Sequence, residues 1–171
     1  MTTARVIPAR LPLLRRAAIA IALALGVTVT ALPAQEASAS PLTYTVAGRT
    51  VTAPNWGSKI AVWTALDQRG DPYVYGATGP NSFDCSGLTS YAWKRAGISL
   101  PRTSGDQASY GRPVSRANLR PGDLVFFYSP VSHAALYIGN GRIVHAPNSG
   151  SVVQVVRLSD MYGYAGARRP Y

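Results

Sequence analysis

Cysteine occurs once in the 171 residues, at Cys85. No internal disulfide is possible, so buried apolar surface rather than covalent staples must hold whatever this chain folds into. A zinc knuckle made of several cysteines is excluded by the same count. The constraint sharpens because the N-terminus reads as an export signal over residues 1–39. A basic stretch carrying Arg5, Arg10, Arg15 and Arg16 precedes an uncharged run over residues 17–32, and the small-residue exit Ala37-Ser38-Ala39 follows. The run is short of the ~20 residues of a bilayer span and rich in Ala and Thr. Cleavage is expected after Ala39, with Ala34 as a second candidate. The Arg15-Arg16 pair keeps twin-arginine export as an alternative to the general secretory route. No later run is long enough to span a bilayer, so no transmembrane anchor is expected after cleavage. An exported chain with one unpaired thiol carries an oxidation liability that calls for a reason.

Residues 40–171 then make up one domain with a single core. They carry 13 Lys and Arg against 6 Asp and Glu, a net charge of +7 out of the +10 of the whole chain. With 47% hydrophobic residues the sequence is no disordered basic tail. Its basic residues are scattered and no nucleic-acid recognition motif occurs, so no nucleic-acid partner is expected.

Residues 40–55, Thr-rich and bounded by prolines, read as an extended arm or linker, and the domain proper as residues 56–171. A helix is predicted over 58–69, capped by Ser58, with Ile60, Trp63 and Leu66 at three-residue spacing. Residues 73–75 make a short β-prone piece before a Gly/Pro/Asn loop. A second helix is predicted over 85–96, with Lys94 and Arg95 in its last turn and Gly97 at C′. A third, short one follows over 104–110. The pattern then changes to strands at 123–128, 133–138, 142–146 and 152–156. Helices first and an antiparallel sheet second predict an α+β domain with helices packed on the sheet.

The two histidines, His133 and His145, flank one hairpin centred on Gly139-Asn140-Gly141. With a two-residue Asn140-Gly141 loop, His145 faces Leu136 and His133 lies on the opposite side of the sheet. With a three-residue loop, or a bulge that restores its parity, His145 faces Ala135 and both imidazoles point the same way. The second register is the one predicted. Cys85 stands where a loop enters a helix, and first-turn N–H groups with the helix dipole favour a thiolate there. Nucleophile, base and orienting group are thus available in Cys85, His133 and His145. The plainer alternatives are a buried structural cysteine with hydrogen-bonded histidines. A Cys-plus-two-His metal site is a further alternative, which would need a fourth ligand or water and has no metal-ligand spacing pattern behind it.

Six segments resemble, in order, the motifs of the NlpC/P60 family of bacterial cell-wall endopeptidases. Asp84-Cys85-Ser86-Gly87-Leu88 matches the nucleophile motif, and Pro72-Tyr73-Val74-Tyr75-Gly76 and Leu100-Pro101-Arg102-Thr103-Ser104 lie on either side of it. The remaining three are residues 119–127, residues 132–139 and Ile143-Val144-His145-Ala146. The resemblance implies a papain-like α+β fold, a catalytic Cys85, a His133 base and His145 as the third polar residue. It places substrate recognition on Tyr73, Asp84, Ser86 and Ser104, with helix capping as an equal alternative for Asp84. No metal or organic cofactor is expected. The implied substrate is a peptidoglycan stem peptide, cut between D-glutamate and diaminopimelate or lysine, by a secreted, wall-associated monomer. Anionic wall polymers match the +7 charge as further partners. An amidase cutting the sugar–peptide bond and a non-catalytic wall-binding module are the rival functions.

Overall fold

The computed structural model describes residues 42–171; the expected export signal lies outside them. The segment expected as an arm or linker is extended but not free. It forms a hairpin of β1 (Thr43–Val46) and β2 (Arg49–Thr52) whose Tyr44, Val46 and Val51 join the main core. Tyr44 donates its hydroxyl to the Ile138 carbonyl at 2.9 Å. This apolar alternation in a Thr-rich stretch is too brief to stand out in the sequence, and burial against the rest of the chain decides its structure.

Helix α1 (Trp56–Asp67) begins earlier than predicted because Asn55, not Ser58, is the cap: its side chain accepts from Ser58 N at 2.8 Å. The buried face also differs from the expected one. Ser58, Ala61, Val62 and Ala65 turn inward, whereas Ile60 and Trp63 are 39% and 46% exposed. Small residues let α1 approach its neighbour closely, while Trp56 and Trp63 stay outside with the Lys59 ammonium 5.0 and 4.4 Å from their ring centres. The neighbour is α2 (Cys85–Arg95). It ends as predicted, with Gly97 at φ +86° and a pair of bonds, Ile98 N to Trp93 O and Gly97 N to Lys94 O, that satisfy the last carbonyls. Helix α3 (Ser104–Gln107) is shorter than the predicted 104–110.

The chain then lays down β3 (Arg112–Pro113), β4 (Leu124–Phe127), β5 (His133–Gly139), β6 (Arg142–His145), β7 (Gln154–Arg157) and β8 (Tyr164–Arg169). Their spatial order is β3-β8-β4-β5-β6-β7, and neighbours are antiparallel. Strands β3 and β8 were not predicted. The run Tyr164-Ala-Gly-Ala-Arg-Arg has weak β propensity, and its pairing with β4 overrides that. Within residues 73–75 only Tyr73 makes a bridge, an isolated one to Phe83, so no strand forms there.

Alternation along the strands splits the apolar residues between two layers. Leu124, Phe126, Ala134, Leu136, Ile138 and Val144 face the same core as Ala61, Val62, Leu88 and Trp93 of the helices. Val125, Phe127, Ala135 and Ile143 face the other way, under Leu158 and Ala167. The result is the expected α+β arrangement, helices packed on one face of an antiparallel sheet. A buried ion pair fastens its C-terminal end: Arg169 donates to both oxygens of Asp123 at 2.6 and 2.7 Å. No helix among the described residues is long and apolar enough to cross a membrane.

Candidate active site

Asp84 sets where α2 starts. Its carboxylate accepts from Gly87 N at 2.7 Å as the N-cap, and also from Gly76 N at 3.0 Å. The 76–77 loop is thereby drawn onto the helix start so closely that a Cβ on Gly87 would lie 2.1 Å from the Ala77 carbonyl oxygen. Only glycine fits there. Arg102 completes the carboxylate, donating to Oδ1 at 3.2 Å and Oδ2 at 2.5 Å, with a third bond to Ser86 Oγ at 3.0 Å. With Ser86 Oγ also on Oδ1, five donors converge on a group with about four lone-pair sites. Asp84 is therefore the helix cap, and a substrate amine would have to compete for its oxygens. Burial pushes its carboxyl up, but the bonds from Arg102, Gly87 and Gly76 outweigh burial and hold it below the usual carboxylate range.

Cys85 is the first residue of α2, half-buried and unpaired. Leu88 N to Asp84 O is the first intrahelical bond and Gly87 N is capped, so the N–H of Cys85 is left at the helix start and that of Ser86 lies against the Cys85 sulfur. The sulfur reaches the beginning of β5, where the Ala134 N–H favours its thiolate form. Burial nevertheless dominates and, reinforced by the Asp84 carboxylate, pushes the Cys85 thiol above its ordinary range. This reverses the lowered value expected from the helix start alone: removing the sulfur from water costs more than the first-turn donors return.

His133 opens β5 and His145 closes β6, and both are buried. Their rings meet edge to face, with His133 Nε2 2.9 Å from His145 Nδ1. The predicted parity holds, by way of a bulge. Asn140 and Gly141 form a two-residue turn, both at positive φ, flanked by the pair Gly139–Arg142. Ile138 is then the extra residue, after which Tyr137 pairs with Ile143 and Leu136 with Val144. Burial pulls His133 down to about 4, aided by the neighbouring His145, and burial alone pulls His145 to about 4. Without substrate, thiol and imidazoles are all neutral near pH 7.

A cleft of about 440 Å³ opens over Cys85. The four residues expected to read substrate, Tyr73, Asp84, Ser86 and Ser104, all line it. The structure adds Tyr75, Arg102 and Ser132, which the sequence reading left without a placed role. Ser86 is buried and already bonded to Asp84 and Arg102, so it shapes the cleft floor more than it faces the opening. Gln107, fully buried, was also missed. Its amide donates to Ser86 O, Ser90 Oγ and Pro101 O, tying the 100–104 loop to α2. Its signal in the sequence, one glutamine in a short helix, is too weak to have found it.

Residues 70–167 match the model of the NlpC/P60 family. The chain is 40% identical over 142 residues to the probable endopeptidase Cgl2188 of Corynebacterium glutamicum, an alignment covering 80% of this chain and 68% of that one. Among solved structures, a NlpC/P60 family protein from Bacillus cereus superposes with a TM-score of 0.64 at 35% identity, covering 70% of this chain and 41% of that one. The peptidoglycan hydrolase RipB of Mycobacterium tuberculosis gives 0.61 at 32%, over 67% and 64% of the two chains. Motif order, a nucleophile-type helix start and these matches converge: the chain belongs to the NlpC/P60 family and has its papain-like α+β fold.

Proposed function

We propose that this chain is an exported cysteine endopeptidase of peptidoglycan stem peptides, cutting between D-glutamate and diaminopimelate or lysine. The observation that carries the reading is the thiol of Cys85 at a helix start, under an open polar cleft, beside the beginning of β5, whose first residue His133 meets His145 at the end of β6. The names of its relatives support it: a probable endopeptidase and a peptidoglycan hydrolase. The particular bond is the one implied by the family resemblance.

The steps follow from the neutral resting state. His145 occupies Nε2 of His133, which leaves Nδ1 to take the thiol proton as Cys85 Sγ bonds to the scissile carbonyl carbon. Charge developing on the carbonyl oxygen is met by the N–H groups at the start of α2. Collapse breaks the C–N bond, and the imidazolium gives its proton to the departing amine. Water then attacks the thioester, His133 takes its proton, and the peptide acid and thiol are released. Throughout, the Nε2–H of His133 donates to His145 Nδ1, which holds the working tautomer. The partly exposed Arg102 supplies positive charge on the cleft wall for a stem-peptide carboxylate.

Mass spectrometry of purified peptidoglycan incubated with the protein or with Cys85→Ala tests this. Peptides ending in D-glutamate, with diaminopimelate or lysine as the new amino terminus, are expected from the wild type alone. Alanine as the new amino terminus would make the enzyme an amidase. Wall binding without cleavage by either protein would reduce it to a binding module.

A further inference from the structure

A second cleft, of about 500 Å³, shares no lining residue with the one over Cys85. Two hairpin turns border it, Ala47 from the β1–β2 connection and Asn140-Gly141 from β5–β6. Arg49, Arg142, Arg157 and Ser159 supply its polar wall. Arg142 and Arg157 are direct Cα partners in the β6–β7 ladder, so their side chains leave the same face. Like charges directly opposite each other destabilise a sheet. No ion pair among the described residues relieves this. The ion pairs among the described residues are Arg102–Asp84 and Arg169–Asp123, and no acid lines the cleft. Asp160, next in sequence to Ser159, accepts from the Ser159 hydroxyl at 3.1 Å and pairs with none of the three arginines.

All three cations are arginines. A guanidinium is a planar fork matched to paired oxyanion oxygens, and three forks exceed what one planar carboxylate can fill. A tetrahedral phosphate presents oxygens in several directions at once. We propose that this cleft binds the phosphate groups of an anionic phosphodiester polymer, a docking site separate from the candidate active site and independent of the chemistry assigned there. Repulsion between Arg142 and Arg157 would be relieved when the polymer is seated.

Binding of the full chain to linear poly(glycerol phosphate) is the direct test, measured by titration calorimetry beside inorganic phosphate, polygalacturonate and phosphatidylglycerol vesicles. The triple variant Arg49→Gln/Arg142→Gln/Arg157→Gln is compared with Arg69→Gln/Lys94→Gln/Arg95→Gln, which removes the same charge elsewhere. Affinity for the phosphate polymer should fall at least about tenfold in the first and less than about threefold in the second. The polymer should also raise the Tm of the wild type and not that of the cleft variant. If the triple variant fails to fold, Arg142→Gln and Arg157→Gln singly should each weaken binding by about threefold or more. Equal losses in both triple variants would overturn the proposal, since net charge alone would then account for binding. Equal affinity for polygalacturonate would overturn the choice of phosphate. Binding to vesicles or inorganic phosphate but not to the soluble polymer would overturn the choice of a polymer.

Discussion

His133 Nε2 and His145 Nδ1 stand 2.9 Å apart because β5 carries one residue more than β6 in the hairpin that joins them. Without the bulge at Ile138, a two-residue turn would send the rings to opposite faces of the sheet. The contact also fixes how protons are shared. If His133 Nδ1 is to accept from the thiol, its own proton lies on Nε2 and His145 Nδ1 is the acceptor. The proton of His145 is then on its Nε2, which is buried without a hydrogen-bond partner among the described residues.

Removing that acceptor should therefore slow turnover without weakening binding. His145→Ala is expected to lower kcat roughly 10²-fold with KM little changed. His145→Asn, which can return a carbonyl oxygen to the site, should recover at least about tenfold of the loss. Steady-state kinetics on a soluble stem peptide reads both. An Ala variant as fast as the wild type would remove His145 from the mechanism.

Burial holds both partners of the nucleophilic pair neutral, raising Cys85 and lowering His133 to about 4. Ultraviolet absorbance of the thiolate should then be missing at neutral pH and rise only above the ordinary thiol range near 8.5. The acid limb of kcat/KM should lie near pH 4, where His133 takes up its proton. A thiolate signal at pH 6 would show instead a preformed thiolate–imidazolium pair, and the order of proton transfer given above would be wrong.

The sequence made the nucleophile's helix legible because its signals are local: a cap at Asp84, a cation pair in the last turn and Gly97 just beyond it. It also made the histidine parity legible, since alternation leaves only two choices per hairpin. Three features were not legible, each because its cause lies far along the chain. Helix α1 buries Ala61, Val62 and Ala65 because of what α2 presents to it, so the larger Trp63 is left outside. Strand β8 exists through its pairing with β4. The bond between Arg102 and Asp84 joins residues 18 positions apart, and no spacing rule connects them.

Acid should destabilise the fold through the same histidines. Both have folded values near 4, against 6.5 for an unperturbed imidazole. Between those limits the unfolded chain binds two protons that the native pair refuses, so stability is complete above about pH 6.5 and lost as pH falls towards 4. Each histidine contributes up to about 1.4 kcal/mol per pH unit in that window. Thermal melts from pH 7 to pH 4 should show Tm falling for the wild type and falling less for His133→Gln/His145→Gln. Parallel curves for the two proteins would place the acid sensitivity elsewhere.

Arg169 and Asp123 supply the sharpest stability test, because both are buried and the pair is bidentate. Asp123 also accepts from Arg120 N at 2.7 Å, and Arg169 donates to Asn118 O at 3.0 Å, so the pair ties the turn before β4 to the end of β8. Arg169→Met leaves a buried carboxylate without its counter-ion and should cost about 3–5 kcal/mol. Adding Asp123→Asn removes the stranded charge, and the double variant should regain part of that loss rather than double it. Urea unfolding of the two single variants and the double one gives the coupling directly. Additive losses would mean that the two side chains act independently despite their 2.6 Å contact.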